Sequence, residues 1–343
     1  MTQTGLAERE LLELARDGDE TAFGRIAEEH RGAIHAHCYR MLGSIHDAED
    51  ALQETLLRAW RGLAVFEGRS SLATWLYRIA TNTCLDAIAR RPKRMLPSDL
   101  GPAMTPTFDV GDPLAESTWI EPYPDEALGL GNGYAALEAQ YEQREAVELA
   151  FIAALQHLPA TQRAVLILRE VLGFSAREVA DSLDTTVASV NSALQRARGT
   201  LADRLPERSQ QETLRSLGDE RVRELVEAFV DAWSRGDVEE LLTLLAEDAV
   251  FSMPPWPLWW RGAETLATFS RDSRGVCPES RPVPCRANGQ PALAFYALSA
   301  ETGRWEPSAI DVLTLEGDRI KEITAFVLPE LFARFGLEPN LSV

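Results

Sequence analysis

Between Leu96 and Tyr141 the chain carries prolines at 97, 102, 106, 113, 122 and 124 and glycines at 101, 111, 129, 131 and 133. Proline removes a backbone donor and fixes φ, so no long helix or strand spans this stretch. A chain of 343 residues interrupted there predicts two or three domains, each long enough for its own core. Residues 96–150 hold eleven acidic side chains against Arg144 alone, a net of −10. That composition predicts a solvated, partly extended linker, assigned to 96–142. One pair runs against it: Trp119-Ile120, flanked by Glu116, Glu121 and Pro122, predicts docking onto a folded domain.

Ahead of this linker the pattern is helical. Leu11, Leu12, Leu14 and Ala15, then Phe23, Ile26 and Ala27, recur at helical spacing on either side of Arg16-Asp17-Gly18-Asp19, which predicts two helices and a break. Ser44 stands three residues before Asp47 as the cap of another. Ala48, Ala51, Leu52, Thr55, Leu56 and Ala59 give it an inner face, and Asp47, Asp50 and Glu54, with Glu49 and Gln53 beside them, an acidic stripe. From Arg58 to Arg94 the sign changes: eight basic residues stand against Glu67 and Asp86. Within them, GRSSLATWLYRIATNTCLDAIARR has an inner face of Leu72, Leu76, Ile79 and Thr83, with Thr74, Tyr77, Arg78, Thr81 and Asn82 turned outward. Unpaired nucleic acid is held by basic grooves and by aromatic faces on which bases stack. Cations alone give only salt-sensitive attraction to phosphates. One acidic helix and one aromatic, cationic helix thus point to two partners, a basic protein surface and a nucleic acid; the plainer alternative is a solvated face over a core.

The segments DAEDALQETLLRAW (47–60) and FEGRSSLATWLYRIATNTCLDAIARR (66–91) resemble the second region of bacterial sigma-70 family initiation factors, in particular the extracytoplasmic-function (ECF) group. The resemblance extends back through LLELARDGDETAFGRIAEEH. It implies that Asp47, Glu49, Asp50, Gln53 and Glu54 contact core RNA polymerase. It also implies that Arg69, Trp75, Tyr77, Arg78 and Asn82 contact promoter DNA at the minus-ten element.

Residues 143–208 read as a second helical domain. Ser175 and Glu178 fit a capping box, Asp184-Thr185-Thr186 a turn and cap. The following helix has an inner face of Val187, Val190, Leu194, Ala197 and Leu201 and an outer one of Ser189, Asn191, Ser192, Gln195, Arg196 and Arg198. A recognition helix needs small polar groups near its start to read base edges and cations further along to hold phosphates. LPATQRAVLILREVLGFSAREVA with SALQRAR resembles the fourth region of the same family, which implies minus-35 contacts by Ser189, Asn191, Ser192, Arg196 and Arg198. Asn191 and Ala193 stand where ECF factors often carry bases, which implies fewer phosphate anchors.

ECF factors typically end near Leu205; this chain continues to Val343. Past a polar spacer, SQQETLRSLGDE, come a helix burying Val222, Leu225, Val226, Phe229 and Trp233, a second over VEELLTLLAEDA, the loop PPWPLWW and a helix GAETLATFSRD. Three alternating segments follow, QPALAFYAL, SAIDVLTLEG and RIKEITAFVL, the last two joined at Glu316-Gly317-Asp318. Helices before an antiparallel sheet predict an α+β domain. FVDAWSRGDVEELLTLLAEDAVFSMPP…WRG resembles the SnoaL-like domain, a cone-shaped fold shared with ketosteroid isomerases and polyketide cyclases. Such enzymes need a carboxylate base in an apolar site and a donor for the developing oxyanion. Asp311 is the one weak candidate base and Tyr296 a candidate donor. Phe251, Met253, Trp256, Trp259 and Trp260 form an aromatic cluster that reads as pocket lining or as a docking face.

The fold class expected is therefore multidomain: two all-α domains, sigma region 2 at 1–95 and the helix-turn-helix of sigma region 4 at 143–208, then an α+β SnoaL-like domain at 209–343. The function expected is a transcription initiation factor, not an enzyme, whose partners are core RNA polymerase, promoter DNA and, at the C-terminal domain, a small-molecule ligand or an intramolecular surface. The alternative is a cyclase or isomerase tethered to DNA-binding modules. The net charge of −19 speaks against nucleic acid only as an average, since local charge steers a ligand. His30, His35, His37 and His46 lack a carboxylate shell at metal-ligand spacing, and Cys38, Cys84, Cys277 and Cys285 lack a CxxC, so neither metal nor cofactor is expected. Cys38 and Cys84 read as buried thiols, and Cys277 and Cys285 as loop residues able to approach each other. With no signal-like segment and no apolar run near about 18 residues, a soluble cytoplasmic protein without membrane contact is expected.

Overall fold

The computed structural model describes residues 3–105, 111–115, 118–128, 144–273 and 279–341. Its contacts divide the chain into two compact units. One holds Met1–Lys93 and Ala154–Arg204; the other holds Arg94–Glu126, the residues just ahead of Ala154, and Leu205–Val343.

The first unit is all α. Helices α1 (Gln3–Arg16), α2 (Glu20–Leu42), α3 (Ile45–Gly62) and α4 (Leu72–Ile88) pack around Ile34, Cys38, Tyr39, Met41, Leu52, Leu76, Ala80 and Cys84, all buried. Each start has a local cause. Asp19 accepts from Thr21 N (2.8 Å) and Ala22 N (3.0 Å), Ser44 from Asp47 N (3.1 Å) and Ser71 from Thr74 N (3.1 Å), each cap contributing about 1 kcal/mol. Gly43, at φ +70°, ends α2 in the left-handed conformation that glycine adopts most cheaply. Past α5 (Leu149–Gln156), in which the chain passes from the second unit back to the first, α6 (Ala160–Leu166) widens into a π turn over Ile167–Val171, followed by α7 (Ala176–Ser182) and α8 (Val187–Ala202). Arg163 of α6 is buried and donates to the Met41 carbonyl, to Gln156 Oε1 (2.6 Å) and to the Gln156 and Leu158 carbonyls (3.2 and 3.3 Å). One side chain thus ties α6 to the end of α2, and burial pushes its pKa down to about 10.

The second unit is α+β. Helices α9 (Gln210–Leu217), α10 (Asp219–Arg235), α11 (Val238–Leu244) and α12 (Ala263–Ser273) accompany strands β1 (Leu245–Ser252), β2 (Trp259–Arg261), β3 (Ser280–Ala287), β4 (Gln290–Leu298), β5 (Trp305–Glu316) and β6 (Arg319–Phe326). The sheet runs β2-β1-β6-β5-β4-β3 and is antiparallel except for the β1–β6 pair. Its core combines Val222, Leu225 and Phe229 of α10 with Leu293, Leu313 and Ile323 of the sheet.

Four expectations are corrected here. The polar spacer 209–220 contains a helix, capped where Ser209 accepts from Glu212 N (3.2 Å). The helix expected over VEELLTLLAEDA stops at Leu244, and Leu245 onward is strand, its inward residues Leu245, Ala246 and Ala249 paired into the core. A strand, β3, runs through Pro282 and Pro284, which an edge position tolerates. Val187, expected inside, is 43% exposed, because the first residue of α8 lies ahead of the packed turns.

The segment Arg94–Glu126 is not a solvated tether. Trp119, Ile120 and Tyr123 are fully buried. Met104 N donates to the Trp259 carbonyl (2.8 Å) and Leu114 N to the Pro255 carbonyl (2.9 Å). At the far end Tyr123 and Asn288 exchange two bonds (2.9 and 2.8 Å), Asp125 accepts from Gly289 N (2.7 Å) and Arg286 Nε (2.8 Å), and Pro124 bridges to Ala287. Asn288 and Gly289, at φ +57° and +70°, make the β3–β4 turn, a pair of conformations that suits Asn-Gly. A Cβ on Gly289 would meet the Arg144 carbonyl at 3.3 Å, so glycine is required there twice over.

Candidate nucleic-acid interface

Helix α3 presents its acidic residues unequally. Asp50 and Gln53 are exposed, while Glu49 and Glu54 are half-buried. Asp47, expected on the same stripe, is buried at 7% exposure and paired with Arg91, whose guanidinium also lies 3.8 Å from Asp50. Glu54 is held by Arg58 (2.7 Å), which reaches on to Asp86 at 3.1 Å. Asp47 therefore clasps α3 to the end of α4, and the others form the outer surface.

Helix α4 places Trp75 half-buried against Phe66, ring centroids 4.8 Å apart and tilted by 32°, with the Arg16 guanidinium 5.7 Å above the Phe66 ring. Gly62 lies beneath: a Cβ there would come within 3.3 Å of the indole. Arg69 is exposed beside Glu67 (2.9 Å), and Asn82 is half-buried. Thr81, expected outward, is fully buried, because its hydroxyl bonds back to the Tyr77 carbonyl (2.7 Å) and meets His37 Nε2 at 2.9 Å. Burial, then Arg40, push the His37 pKa down to about 3, so its ring is neutral. Among the described residues no cluster of His, Cys, Asp or Glu is arranged to hold a metal. Cys38 and Cys84 are buried free thiols; Cys277 lies outside the described residues.

Tyr77 and Arg78 are both engaged. The Tyr77 ring meets His37 edge-on (5.3 Å, 88°) and Phe174 edge-on (5.7 Å, 79°), and Arg78 lies 3.4 Å from Asp184. Phe174 and Asp184 belong to the helix-turn-helix, and nothing local in the sequence marks them as partners of Tyr77 and Arg78, which lie about a hundred residues away.

The helix-turn-helix itself is built from local signals. Ser175 and Glu178 make a reciprocal capping box (2.8 and 3.2 Å), whose bonds to the Glu178 carboxylate lower its pKa, and Thr186 caps α8 through Ser189 N (3.1 Å). Ser189, Asn191, Ser192, Arg196 and Arg198 are all exposed along α8. Arg196 rests on Ser192 Oγ (2.7 Å), and Arg198 pairs with Glu170 at 2.7 Å.

In the C-terminal domain the two candidate catalytic groups are kept apart. Asp311 lies opposite Leu293 on the adjacent strand and shares its face with Leu313. Tyr296, three residues beyond Leu293, points to the other face by the two-residue period of a strand, packs on Phe332 and donates its hydroxyl to the Glu338 carbonyl (2.8 Å). Among the described residues Asp311 Oδ1 has no hydrogen-bond partner, and burial alone pushes that carboxyl up to about 8. The aromatic cluster divides as well. Trp260 is buried against Phe251 (5.7 Å), and Met253 and Trp256 pack on the core beside them. Trp256 and Trp259 also turn their indole N–H groups to the Gly111 (3.2 Å) and Gly101 (2.9 Å) carbonyls of the segment that follows α4.

Three family descriptions match the chain: Sigma-70 region 2 over residues 26–94, Sigma-70 region 4 over 142–201, and a SnoaL-like domain over 226–323. Over 332 residues the chain is 41% identical to the ECF RNA polymerase sigma factor SigG of Mycobacterium tuberculosis, covering 95% of this chain and 86% of that one. The chain belongs to the ECF sigma factor family. It is accordingly a transcription initiation factor, carrying both sigma regions and a fused C-terminal domain. SigW of Bacillus subtilis is 28% identical over 57% of this ECF factor and 94% of its own length. The crystal structure of the ECF factor SigJ of Mycobacterium tuberculosis shares its fold, with a TM-score of 0.56, 20% identity and coverage of 91% and 98%.

Proposed function

We propose that this ECF factor joins core RNA polymerase through the outer surface of α3, with Glu49, Asp50, Gln53 and Glu54 in contact. It reads the minus-ten element with Arg69, Trp75, Tyr77, Arg78 and Asn82, and the minus-35 element with Ser189, Asn191, Ser192, Arg196 and Arg198. On this reading 1–95 is region 2, 96–142 the linker, 143–208 region 4 and 209–343 the regulatory domain, and the protein works in the cytoplasm. Among the described residues no helix is long and apolar enough to cross a membrane. The observation that carries the proposal is α8: small polar residues exposed in its first turns and two exposed arginines further along, the layout that base reading and phosphate anchoring require.

The C-terminal domain acts as a regulator that binds rather than catalyses. Asp311 and Tyr296 lie on opposite faces of the sheet, so these two residues do not form a base and oxyanion-donor pair, which supports binding over catalysis. Trp256 and Trp259 instead grip the segment between the two sigma regions, which supports control through that segment. Run-off transcription with purified core enzyme and the full-length protein tests both halves. Trp75→Ala is expected to lower output about tenfold, the loss of one stacked base. Trp259→Phe, which removes one donor to the segment, is expected to raise it. Unchanged output from Trp259→Phe would count against regulation through that grip.

A further inference from the structure

Tyr77 and Arg78 are the two residues of the proposed minus-ten surface that are engaged by region 4. Stacking a base on Tyr77 requires an open ring face, yet the ring is hemmed in by His37 on one side and Phe174 on another. Holding a phosphate with Arg78 requires a free guanidinium, yet a carboxylate stands 3.4 Å away and would repel the phosphate that replaced it. His37 belongs to α2, but the other two obstacles come from one small part of region 4: Phe174 immediately before the cap of α7, and Asp184 in the turn between α7 and α8.

Asp184 sits at φ +49°, a left-handed conformation that Asp, Asn and Gly tolerate and bulkier residues resist. The turn restricts the choice to those three, and of them only Asp offers Arg78 an anion. The contact is also weak enough to release. The Arg78 and Asp184 side chains are 46% and 86% exposed, and exposed ion pairs hold little against water and salt. Phe174 is only half-buried.

We propose that Phe174 and Asp184 form a latch that closes the Tyr77–Arg78 face of α4 in the free protein, and that releasing this latch is what opens the face to unpaired DNA. The latch rests on the reading that Tyr77 and Arg78 contact the promoter. It is distinct from the grip of the C-terminal domain, since both of its halves lie in the two sigma regions.

The test compares full-length protein with a Phe174→Ala/Asp184→Asn variant; asparagine keeps the left-handed turn while removing the charge. The probe is a fluorescently labelled pool of random-sequence single-stranded DNA, read by anisotropy at fixed low salt. The variant is expected to bind about tenfold more tightly, as when a state populated one part in ten becomes dominant. Tyr77→Ala added to it is expected to abolish that gain. Hydrogen exchange over residues 172–186 is expected to rise in parallel, and Asp184→Asn alone, which leaves packing intact, to give a smaller gain in the same direction. Faster exchange with no gain in binding overturns the latch, and so does unchanged exchange with unchanged binding. Tyr77→Ala in the polymerase-bound protein separates the two ideas. If promoter opening fails there, the reading stands whatever becomes of the latch; if opening is unaffected, the reading itself falls.

Discussion

Helix α8 and strand β5 each carry residues that the sequence marks as chemically significant, and the structure treats them in opposite ways. Ser189, Asn191, Ser192, Arg196 and Arg198 all face solvent, whereas Asp311 is 6% exposed with one carboxylate oxygen unpartnered among leucines. The cause is geometric. A surface helix buries one stripe and leaves most of its circumference for partners. An inner strand of a sheet covered on both faces leaves none. A polar residue on α8 is thus free to act on a partner, while one on β5 must first be accommodated by the fold. Polarity in a sequence points to function only after the element carrying it is known to have an open side.

Asp311 offers the largest effect by which this contrast can be broken. Burial lifts its pKa to about 8, above the unfolded value of about 4, so the folded protein holds the neutral acid. That stability is fully present below about pH 4 and is lost as pH rises through 8, at about 1.4 kcal/mol per pH unit across the window. Asp311→Asn removes the titration. In urea denaturation at pH 5, 7 and 9 the variant is expected to gain on the parent, more between pH 5 and 7 than between 7 and 9, where the effect levels off above about 8. Glu148, pushed up to about 7 by burial, titrates in the same sense in both proteins and cancels from the difference. Parallel decline of the two would mean that Asp311 is solvated after all.

The next effect separates two acids only three residues apart. Asp47 is enclosed with Arg91, and Asp50 is open. Asp47→Asn is expected to destabilise the protein by about 1–3 kcal/mol, the loss of a buried charged partner. Asp50→Asn is expected to leave the unfolding midpoint within about 0.5 kcal/mol and to weaken association with core polymerase severalfold. Equal destabilisation by both would erase the distinction between clasp and contact surface.

The same geometry decides how much was legible in advance. Helix starts at Asp19, Ser44, Ser71, Ser175 and Thr186 rest on bonds to neighbours two or three residues away, and such bonds are written into short stretches of sequence. Strands β4, β5 and β6 showed in their alternation. Strand β3 was hidden by Pro282 and Pro284, although Asn288-Gly289 after it is a strong hairpin signal that should have outweighed them. Periodicity alone puts Thr81 outside and Val187 inside, but a side-chain bond buries the first and its place at the start of α8 exposes the second. The engagement of Tyr77 and Arg78 by Phe174 and Asp184 depends on partners far along the chain. The resemblance to sigma factors named the candidate residues but carried no information on which of them were already taken.

The smallest effect lies within α8, where openness is not the same for every cation. Arg198 spends its charge on Glu170 at 2.7 Å, whereas Arg196 donates to the neutral Ser192 hydroxyl. If both anchor phosphates, Arg196→Ala should weaken DNA binding evenly across sequences and lower the slope of log affinity against log salt by about one. Arg198→Ala should lower it less, because its charge is already partly neutralised. Glu170→Gln, which frees Arg198, should restore that difference by steepening the slope, without altering which bases are preferred. Asn191→Ala should do the reverse, shifting base preference while leaving the slope alone, since base-edge contacts release few counterions. Salt titrations of promoter binding by these variants would rank the cations by their free charge. Identical slopes for Arg196→Ala and Arg198→Ala would show that the Glu170 pair opens at no cost when DNA arrives.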